Sequence, residues 1–297
     1  MATLVFQKVY GFRATKAVSA ASKEIARLEN LLSFFLPHSE ISVINAGAGI
    51  NSEKVSLETF HVLKKSIEIK VESRGVFDIT RGSLFALWRK ALSENILPDR
   101  EVIDKTRQLL EASNLQLTEP DTAFLKIKGL QIDPGAIGKG FIADKAMEIY
   151  RRHRIKSAYI SIGGNLSLLG VRPDGSPWRV GISDPDSPES CIGYLEIENS
   201  SVVTSGDYEK FAVINGKRYH HIIDIRTGYP AASGLRSVTV VSEKSILADA
   251  LATAVFILGL EEGRKLLTVY RSEGLFIDSD KKIHMTPGLK NIFYSMK

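Results

Sequence analysis

The sequence predicts an α+β fold, in which mixed β-sheets carry helices packed on their outside. Residues 3–9 alternate as a strand does, and residues 17–36 carry apolar side chains at the 3-4-3 spacing of an amphipathic helix. Strand-like and helical patterns recur along the rest of the chain. Because three polar segments with potential chemistry are interleaved among these patterns, we expect one catalytic domain over residues 1–297 rather than two independent domains.

The composition is that of an ordinary globular protein. Hydrophobic residues make up 44% of the 297 residues and charged residues 25%, so the chain can bury a sizeable core. The net charge of +5 is compatible with an anionic ligand. Lys and Arg are scattered, however, and the dense basic cluster at residues 151–156 lies where a helix should end and complements its dipole. We therefore expect no nucleic-acid partner. Cys191 is the only cysteine, which excludes an internal disulfide.

No targeting or membrane segment is visible in the sequence. Residues 1–10 already alternate as a strand and lack the pattern of a signal peptide. The apolar run at residues 250–260 is too short to span a bilayer. As written, the chain is expected to be soluble and cytoplasmic.

The first half of the chain is dominated by helical patterns. Pro37 ends the first helix, and residues 38–45 are expected to form a polar loop. Ser56 is a good N-cap for a second helix, and residues 82–88 predict a third. Residues 91–121 are more polar, contain one helical pattern, and are interpreted as a peripheral insertion.

Residues 74–80 combine an aromatic ring with a carboxylate. Gly75 permits a sharp entry into this segment, and Phe77 beside Asp78 pairs a flat apolar surface with a hydrogen-bond acceptor. The pair would suit a bound aromatic ring with donor groups on its edge. The alternative is that Phe77 belongs to the core and Asp78 caps a helix.

The centre of the chain is the glycine-rich segment Gln131-Ile-Asp-Pro-Gly-Ala-Ile-Gly-Lys-Gly140. It is expected to join a strand ending at residues 130–132 to a helix over residues 141–151. Backbone N–H groups at such a turn suit a phosphate, and Lys139 and Asp133 add a cation and a carboxylate. The spacing excludes a P-loop, which needs four residues before Gly-Lys and a hydroxyl after it. An anion site and a tight structural turn both stay open.

Several strands are expected after the central helix. Residues 157–161 and 166–171 read as strands joined by a Gly163-Gly-Asn165 turn, which is common hairpin chemistry. Residues 178–182 and 194–197 read as further strands.

The second polar segment contains adjacent histidines. His220 and His221 should point to opposite faces of a strand, so at most one of them enters a shared site. We interpret His220 as structural. His221 runs directly into an Asp224-Ile-Arg-Thr-Gly228 turn, which favours an acid/base role.

The third polar segment is an apolar helix over residues 245–259 that carries Asp249 and Thr253 on one face. A buried carboxylate needs a partner. A carboxylate with a hydroxyl oxygen suits Mg²⁺, which takes few protein ligands. The alternative is a hydrogen bond to a helix end with no metal.

Taken together, these segments resemble the ApbE family of Mg-dependent FAD:protein FMN transferases. The resemblance covers nearly the whole chain and depends on the order and completeness of the motifs. In chain order they are Met1-Ala2-Thr3, Ser39-Glu40, Gly75–Asp78, Asp133–Gly140, Gly163–Asn165, Thr204–Asp207, His221–Gly228 and Ala248–Thr253.

The resemblance implies a complete site. Mg²⁺ would be held by the Ala136 carbonyl, Asp249 and Thr253, and His221 would be the general base. FAD would bind with its diphosphate at the central segment. The residues implied to contact the flavin nucleotide are Met1, Phe35, Val76, Phe77, Asp78, Asp133 and Lys139.

The implied reaction is transfer of FMN from FAD to a Thr or Ser hydroxyl of an acceptor protein, with release of AMP. The family's acceptors resemble subunits of membrane redox complexes. Water in place of the hydroxyl would make the protein an FAD pyrophosphohydrolase, and absence of turnover would leave a non-catalytic FAD-binding protein.

Three departures from the family pattern are visible. Phe35 stands where many members have Tyr, which keeps a ring and loses a hydroxyl. Ile225 stands where the family has Pro, which makes the placement of His221 less constrained. The chain also starts at the family core, whereas many members are exported and lipid-anchored through a leader.

Overall fold

The computed structural model of the protein describes residues 3–111 and 115–296. Met1, which the resemblance assigns to the flavin nucleotide, lies outside these residues. The helices of the described part are α1 (Ala14–Leu32), α2 (Glu40–Ala46), α3 (Leu57–Glu72), α4 (Gly82–Glu94), α5 (Arg100–Glu111), α6 (Gly138–Arg152), α7 (Ser245–Leu258) and α8 (Leu260–Val269).

Strands accompany the helices throughout, which confirms the α+β class. They are β1 (Val5–Tyr10), β2 (Glu53–Lys54), β3 (Leu115–Thr118), β4 (Thr122–Leu125), β5 (Ser157–Ile162), β6 (Asn165–Leu169), β7 (Trp178–Asp184), β8 (Ser187–Ile197), β9 (Ser201–Gly206), β10 (Phe211–Ile214), β11 (Lys217–His220), β12 (Ile223–Asp224), β13 (Tyr229–Pro230), β14 (Leu235–Ser242), β15 (Glu273–Asp278), β16 (Ile283–Met285) and β17 (Phe293–Ser295).

The contacts within the chain divide the described residues into two compact units. The first contains residues 28–136 and 209–232, and the second contains residues 3–27, 137–208 and 233–296. The boundary in α1 falls between Arg27 and Leu28. A single catalytic domain over the whole chain, and a peripheral insertion at residues 91–121, stay predictions.

The second unit is built on a seven-stranded sheet with the order β1-β5-β6-β9-β14-β15-β16. Neighbouring strands in this sheet are antiparallel. A three-stranded sheet, β17-β8-β7, packs against one face of it around Trp178, Leu195 and Leu275. The helices α6 and α7 pack on strands of the seven-stranded sheet. Nearly every residue of α7 is buried, as its apolar sequence predicts.

The first unit is mainly helical. Its small sheet has the order β2-β4-β3, and two hairpins, β10–β11 and β12–β13, lie in residues 209–232. Ser56 caps α3 as predicted, because its Oγ accepts a hydrogen bond from the Thr59 N–H at 3.2 Å. Trp88 of α4 is fully buried and donates from Nε1 to the Gly228 carbonyl at 2.7 Å.

Three local expectations differ from the structure. Residues 38–45 are not a loop: Ser39 caps α2 by accepting from the Ser42 N–H at 3.0 Å, and Ile41 and Ile44 are buried. Residues 130–132 form no strand, although Gln131 makes an isolated bridge to Arg81. The central helix begins at Gly138 rather than at residue 141.

In the described part of the chain, no helix combines the length and the apolar character that crossing a membrane requires.

Candidate functional site

The start of α6 lies against α7 in the second unit. A Cβ on Gly140 would come within 2.2 Å of the Ser245 carbonyl oxygen and 2.8 Å of Asp249 Cβ. Only glycine permits this approach, because real Cβ atoms do not come so close to backbone atoms. Gly140, the third glycine of the central segment, therefore allows α6 and α7 to pack closely together, which is a role beyond making a turn.

Asp249 is buried and bonded to the first turn of α6. Its Oδ2 accepts from the Gly140 N–H at 2.9 Å, and its Oδ1 lies 3.2 Å from Lys139 Nζ. The helix end and the ammonium group together offset the cost of burying the carboxylate. Sequence reasoning required a partner for Asp249, and the protein itself supplies two.

Thr253 is buried one helical turn after Asp249. This pair offers hard oxygen donors on one face of α7, which are the donors that Mg²⁺ prefers. Within the described part of the chain, no cluster of three or more His, Cys, Asp or Glu side chains is arranged to hold a metal. A single carboxylate with a hydroxyl fits an ion such as Mg²⁺, which keeps most of its coordination for substrate oxygens and water.

Sequence reasoning missed Asp144 in this unit. Its carboxylate accepts from the N–H groups of Ser245 and Ile246 at 2.9 and 3.0 Å and so caps the start of α7. Burial raises the pKa of the Asp144 carboxyl. The sequence offers one indirect sign of this contact. Lys244, at the N-cap position of α7, makes no side-chain cap, so the N–H groups at the start of that helix need an acceptor from another part of the chain.

In the first unit, Asp78 is buried and well satisfied. It pairs with Lys70, and its Oδ1 accepts from the backbone N–H and the hydroxyl of Thr80 at 2.9 and 2.8 Å. Asp78, Lys70 and Thr80 also line a cavity of about 360 Å³. The carboxylate thus holds its own loop together and borders a space that a ligand could enter.

Val76 and Phe77 are buried almost completely. The Phe77 side chain belongs to the core, as the alternative interpretation has it, and offers no free face for stacking on a ring. Any contact of these two residues with a flavin nucleotide would go through their backbone, and that role stays a prediction.

Asp133 lies beside the segment that carries Asp78. Its backbone N–H donates to the Ile79 carbonyl at 2.7 Å, and its Oδ1 accepts from the Gly135 N–H at 2.9 Å. Ala136 ends the short 3-10 helix Pro134–Ala136 directly after this turn. Its carbonyl as a metal ligand stays a prediction.

Arg81 is a second residue that sequence reasoning missed. Its Nη1 is buried and has no hydrogen-bond partner in the described part of the chain. Burial lowers the pKa of this guanidinium, while the charges of Asp133 and Asp78 oppose that shift. The isolated bridge between Arg81 and Gln131 is what brings the two carboxylate-bearing segments beside it.

Phe35 is exposed, as a ring that stacks on a ligand would have to be. Arg89 lies over its ring at 4.8 Å from the centroid, and Phe34 packs edge-on at 5.4 Å. The position is therefore an aromatic surface in this chain despite the missing hydroxyl.

The two histidines have different surroundings. His220 ends β11, is buried, and accepts from the Ile222 N–H at Nδ1, so Nε2 donates to the Ala231 carbonyl at 3.1 Å. This confirms its interpretation as structural. His221 lies just past the strand, and its Nδ1 is 3.3 Å from the Lys210 carbonyl. Because a carbonyl only accepts, Nδ1 carries the proton and Nε2 is the basic nitrogen.

Hydrogen bonds close the turn after His221, in which Ile225 stands where the family has Pro. Asp224 accepts from the backbone N–H of Arg226 and from its guanidinium at 2.7–3.1 Å. The Gly228 N–H donates to the Asp224 carbonyl at 2.8 Å. These side-chain and backbone hydrogen bonds hold the turn around Ile225.

The model of the ApbE family matches residues 1–276 of the chain. The chain belongs to the ApbE family. Among curated relatives, the FAD:protein FMN transferase of Treponema pallidum is 33% identical, covering 97% of this chain and 85% of the relative. That of Klebsiella pneumoniae is 32% identical, covering 97% and 92%.

Solved structures of ApbE proteins share the fold. The flavin transferase ApbE from Vibrio cholerae has a TM-score of 0.87 and 26% identity, covering 98% of this chain and 96% of that one. The ApbE protein from Thermotoga maritima has a TM-score of 0.87 and 28% identity, covering 98% and 99%.

In each unit, some of the residues that the ApbE resemblance selects are neighbours. In the second unit, Lys139 at the start of α6 is bonded to Asp249, and Thr253 follows Asp249 one turn later on α7. Asp78 and Asp133 share the surroundings of Arg81, whose charge also reaches His221.

The unusual environment of His221 predicts acid-sensitive stability. Burial, with smaller effects from the charges of Lys210, His220 and Arg81, lowers the pKa of His221 from 6.5 to about 4. Between these two values the unfolded chain binds the proton and the folded chain does not, so stability is lost as the pH falls from 6.5 to 4. Urea unfolding at several pH values should show that the free energy of unfolding falls less steeply with decreasing pH in His221→Gln than in the unsubstituted protein. Equal slopes would contradict the assignment.

Proposed function

We propose that this protein transfers FMN from FAD to a hydroxyl of an acceptor protein and releases AMP. The observation that carries the proposal is the buried Asp249, held by Lys139 and by the start of α6, in an ApbE chain that matches FAD:protein FMN transferases over 97% of its length. A buried carboxylate beside a lysine and a helix N-terminus suits a site that handles a metal-bound phosphate.

The resemblance assigns the residues of each unit a different part of the reaction. His221 Nε2 takes the proton of a Thr or Ser hydroxyl, and the hydroxyl oxygen then bonds to the phosphorus of the FMN half. The bond from that phosphorus to the bridging oxygen breaks, and AMP leaves with that oxygen. Lys139 and the positive end of α6 stabilise the charge on the phosphates.

Asp249 and Thr253 are the residues of the second unit that would hold Mg²⁺, and the Ala136 carbonyl stays a ligand only as the resemblance implies. When bound, the ion would neutralise the diphosphate as a Lewis acid. A Thr or Ser attachment site, an acceptor from a membrane redox complex, and the cellular compartment stay predictions from the resemblance.

The test is a product analysis. The protein is incubated with FAD and Mg²⁺, with and without a Thr-bearing acceptor domain, and with that domain carrying Ala in place of the Thr. Fluorescent acceptor in the first case alone, with AMP in equal amount, is the expected result. AMP and free FMN at the same rate in all three tubes would show a pyrophosphohydrolase instead. Intact FAD throughout would leave a binding protein.

A further inference from the structure

Asn165 is a buried side chain with an unused hydrogen-bond donor. It is 3% exposed, and its Nδ2 has no hydrogen-bond partner anywhere in the described part of the chain. Leaving a buried amide N–H unpaired costs the free energy of removing it from water, so native proteins rarely tolerate it. Within the described part of the chain no acceptor serves this donor, so the position is suited to an acceptor oxygen from a bound ligand.

The strand register fixes which side of the sheet Asn165 faces. Asn165 is the first residue of β6 and pairs with Ile162 across the two-residue turn Gly163-Gly164, where both glycines have positive φ. Leu166 and Leu168 point into the core formed with the three-stranded sheet. By alternation Asn165 points to the opposite face, on which α6 and α7 pack.

The length of the elements places Asn165 at the start of α6. The 15 residues of α6 span about 22 Å and the six residues of β5 about 20 Å. A short turn joins them, and α6 packs on β5 and β6. The end of β5, and with it Asn165, therefore lies level with the first turn of α6. That turn carries Lys139 and Gly140, the two groups bonded to Asp249.

The chemistry of the unused atom selects the ligand. An amide N–H₂ group donates only, so Nδ2 cannot ligate a cation and must meet an acceptor oxygen. Next to a lysine and a helix N-terminus, the acceptor these surroundings favour is an anionic oxygen. We propose that Asn165 donates to a phosphate oxygen of the nucleotide diphosphate and is a binding residue for it; this inference rests on the proposed function.

Two substitutions separate ligand binding from a structural role. Asn165→Leu keeps the branched shape and the number of side-chain heavy atoms and removes the unpaired donor, so the melting temperature of the ligand-free protein should stay the same or rise. The Kd for ADP should nevertheless rise roughly tenfold, the loss expected for one hydrogen bond to a charged group. Asn165→Asp places a carboxylate against the phosphate and should weaken ADP binding more than Asn165→Leu does. Asn291→Asp, an exposed position in the same unit, makes the same charge change and should bind ADP normally.

The measurements are ADP and riboflavin titrations by calorimetry with Mg²⁺ present, and melting of each ligand-free variant. The Kd for riboflavin, which has no phosphate, should be the same in all variants. If Asn165→Asp does not fold, Asn165→Leu decides alone. The inference is overturned if Asn165→Leu binds ADP normally, if its ligand-free melting temperature falls by several degrees, or if the unsubstituted protein binds no ADP. If the protein binds ADP and FAD but forms neither AMP nor labelled acceptor, the proposed function is refuted. The role of Asn165 in binding is then still decided by comparing the Kd for ADP of Asn165→Leu with that of the unsubstituted protein.

Discussion

Asp249→Asn is expected to lower FMN transfer and AMP release by at least about a hundredfold. The amide keeps the size of the side chain and can still accept from the Gly140 N–H, but it removes the only formal negative charge that α7 places beside Lys139. Without that charge, the α7 donors lose most of their attraction for Mg²⁺. The comparison is made from initial rates at several Mg²⁺ concentrations.

The fold should survive this substitution. Lys139 is 23% exposed in its side chain, so it can turn to water once its partner is neutral, and the melting temperature should change little. Asp249→Ala is a harsher variant because it leaves the Gly140 N–H buried without an acceptor, at a cost of about 1–3 kcal/mol. Glu198→Gln, which neutralises an exposed carboxylate of the same unit, is the control and should keep full activity. Retention of a tenth of the rate with unchanged Mg²⁺ dependence in Asp249→Asn would contradict the assignment of Asp249.

Sequence patterns predicted the features that local chemistry determines. The Ser56 cap, the burial of α7 and the buried, hydrogen-bonded state of His220 follow from residue type and spacing within a few residues. The short helix α2 was missed because Ser39 and Asn45 look like loop residues. In fact Ser39 caps the helix, and Asn45 bonds to the backbone of Ile132, 87 residues away.

The remaining features depend on partners that are distant in sequence. Asp144 caps a helix that begins about a hundred residues later, and Gly140 is explained only by the carbonyl of Ser245. The unused donors of Arg81 and Asn165 are also invisible in the sequence, because an arginine before a helix and an asparagine after a glycine turn are ordinary. Their significance comes from burial with no partner among the residues that the structure describes, which only the folded chain reveals.

His221→Gln is expected to lower kcat by roughly 10²–10⁴-fold, the usual contribution of a general base, without weakening FAD binding. The Gln side chain can still donate to the Lys210 carbonyl, as Nδ1 of His221 does at 3.3 Å, but it cannot take a proton from the acceptor hydroxyl. His38→Gln, an exposed histidine in the same unit, should leave the rate unchanged. A wild-type kcat in His221→Gln would remove His221 from the mechanism.

The pH profile gives this prediction a second, independent signature. With a pKa of about 4, caused mainly by burial, His221 is neutral and basic over the whole range from pH 5 to pH 9. The kcat/KM of the unsubstituted protein should therefore show no acid limb near pH 6.5, where an ordinary histidine would gain its proton. A fall in kcat/KM only as the pH approaches 4, absent in the residual activity of His221→Gln, would identify His221 as the base. An acid limb near pH 6.5 would show instead that another group, or a solvated histidine, accepts the proton.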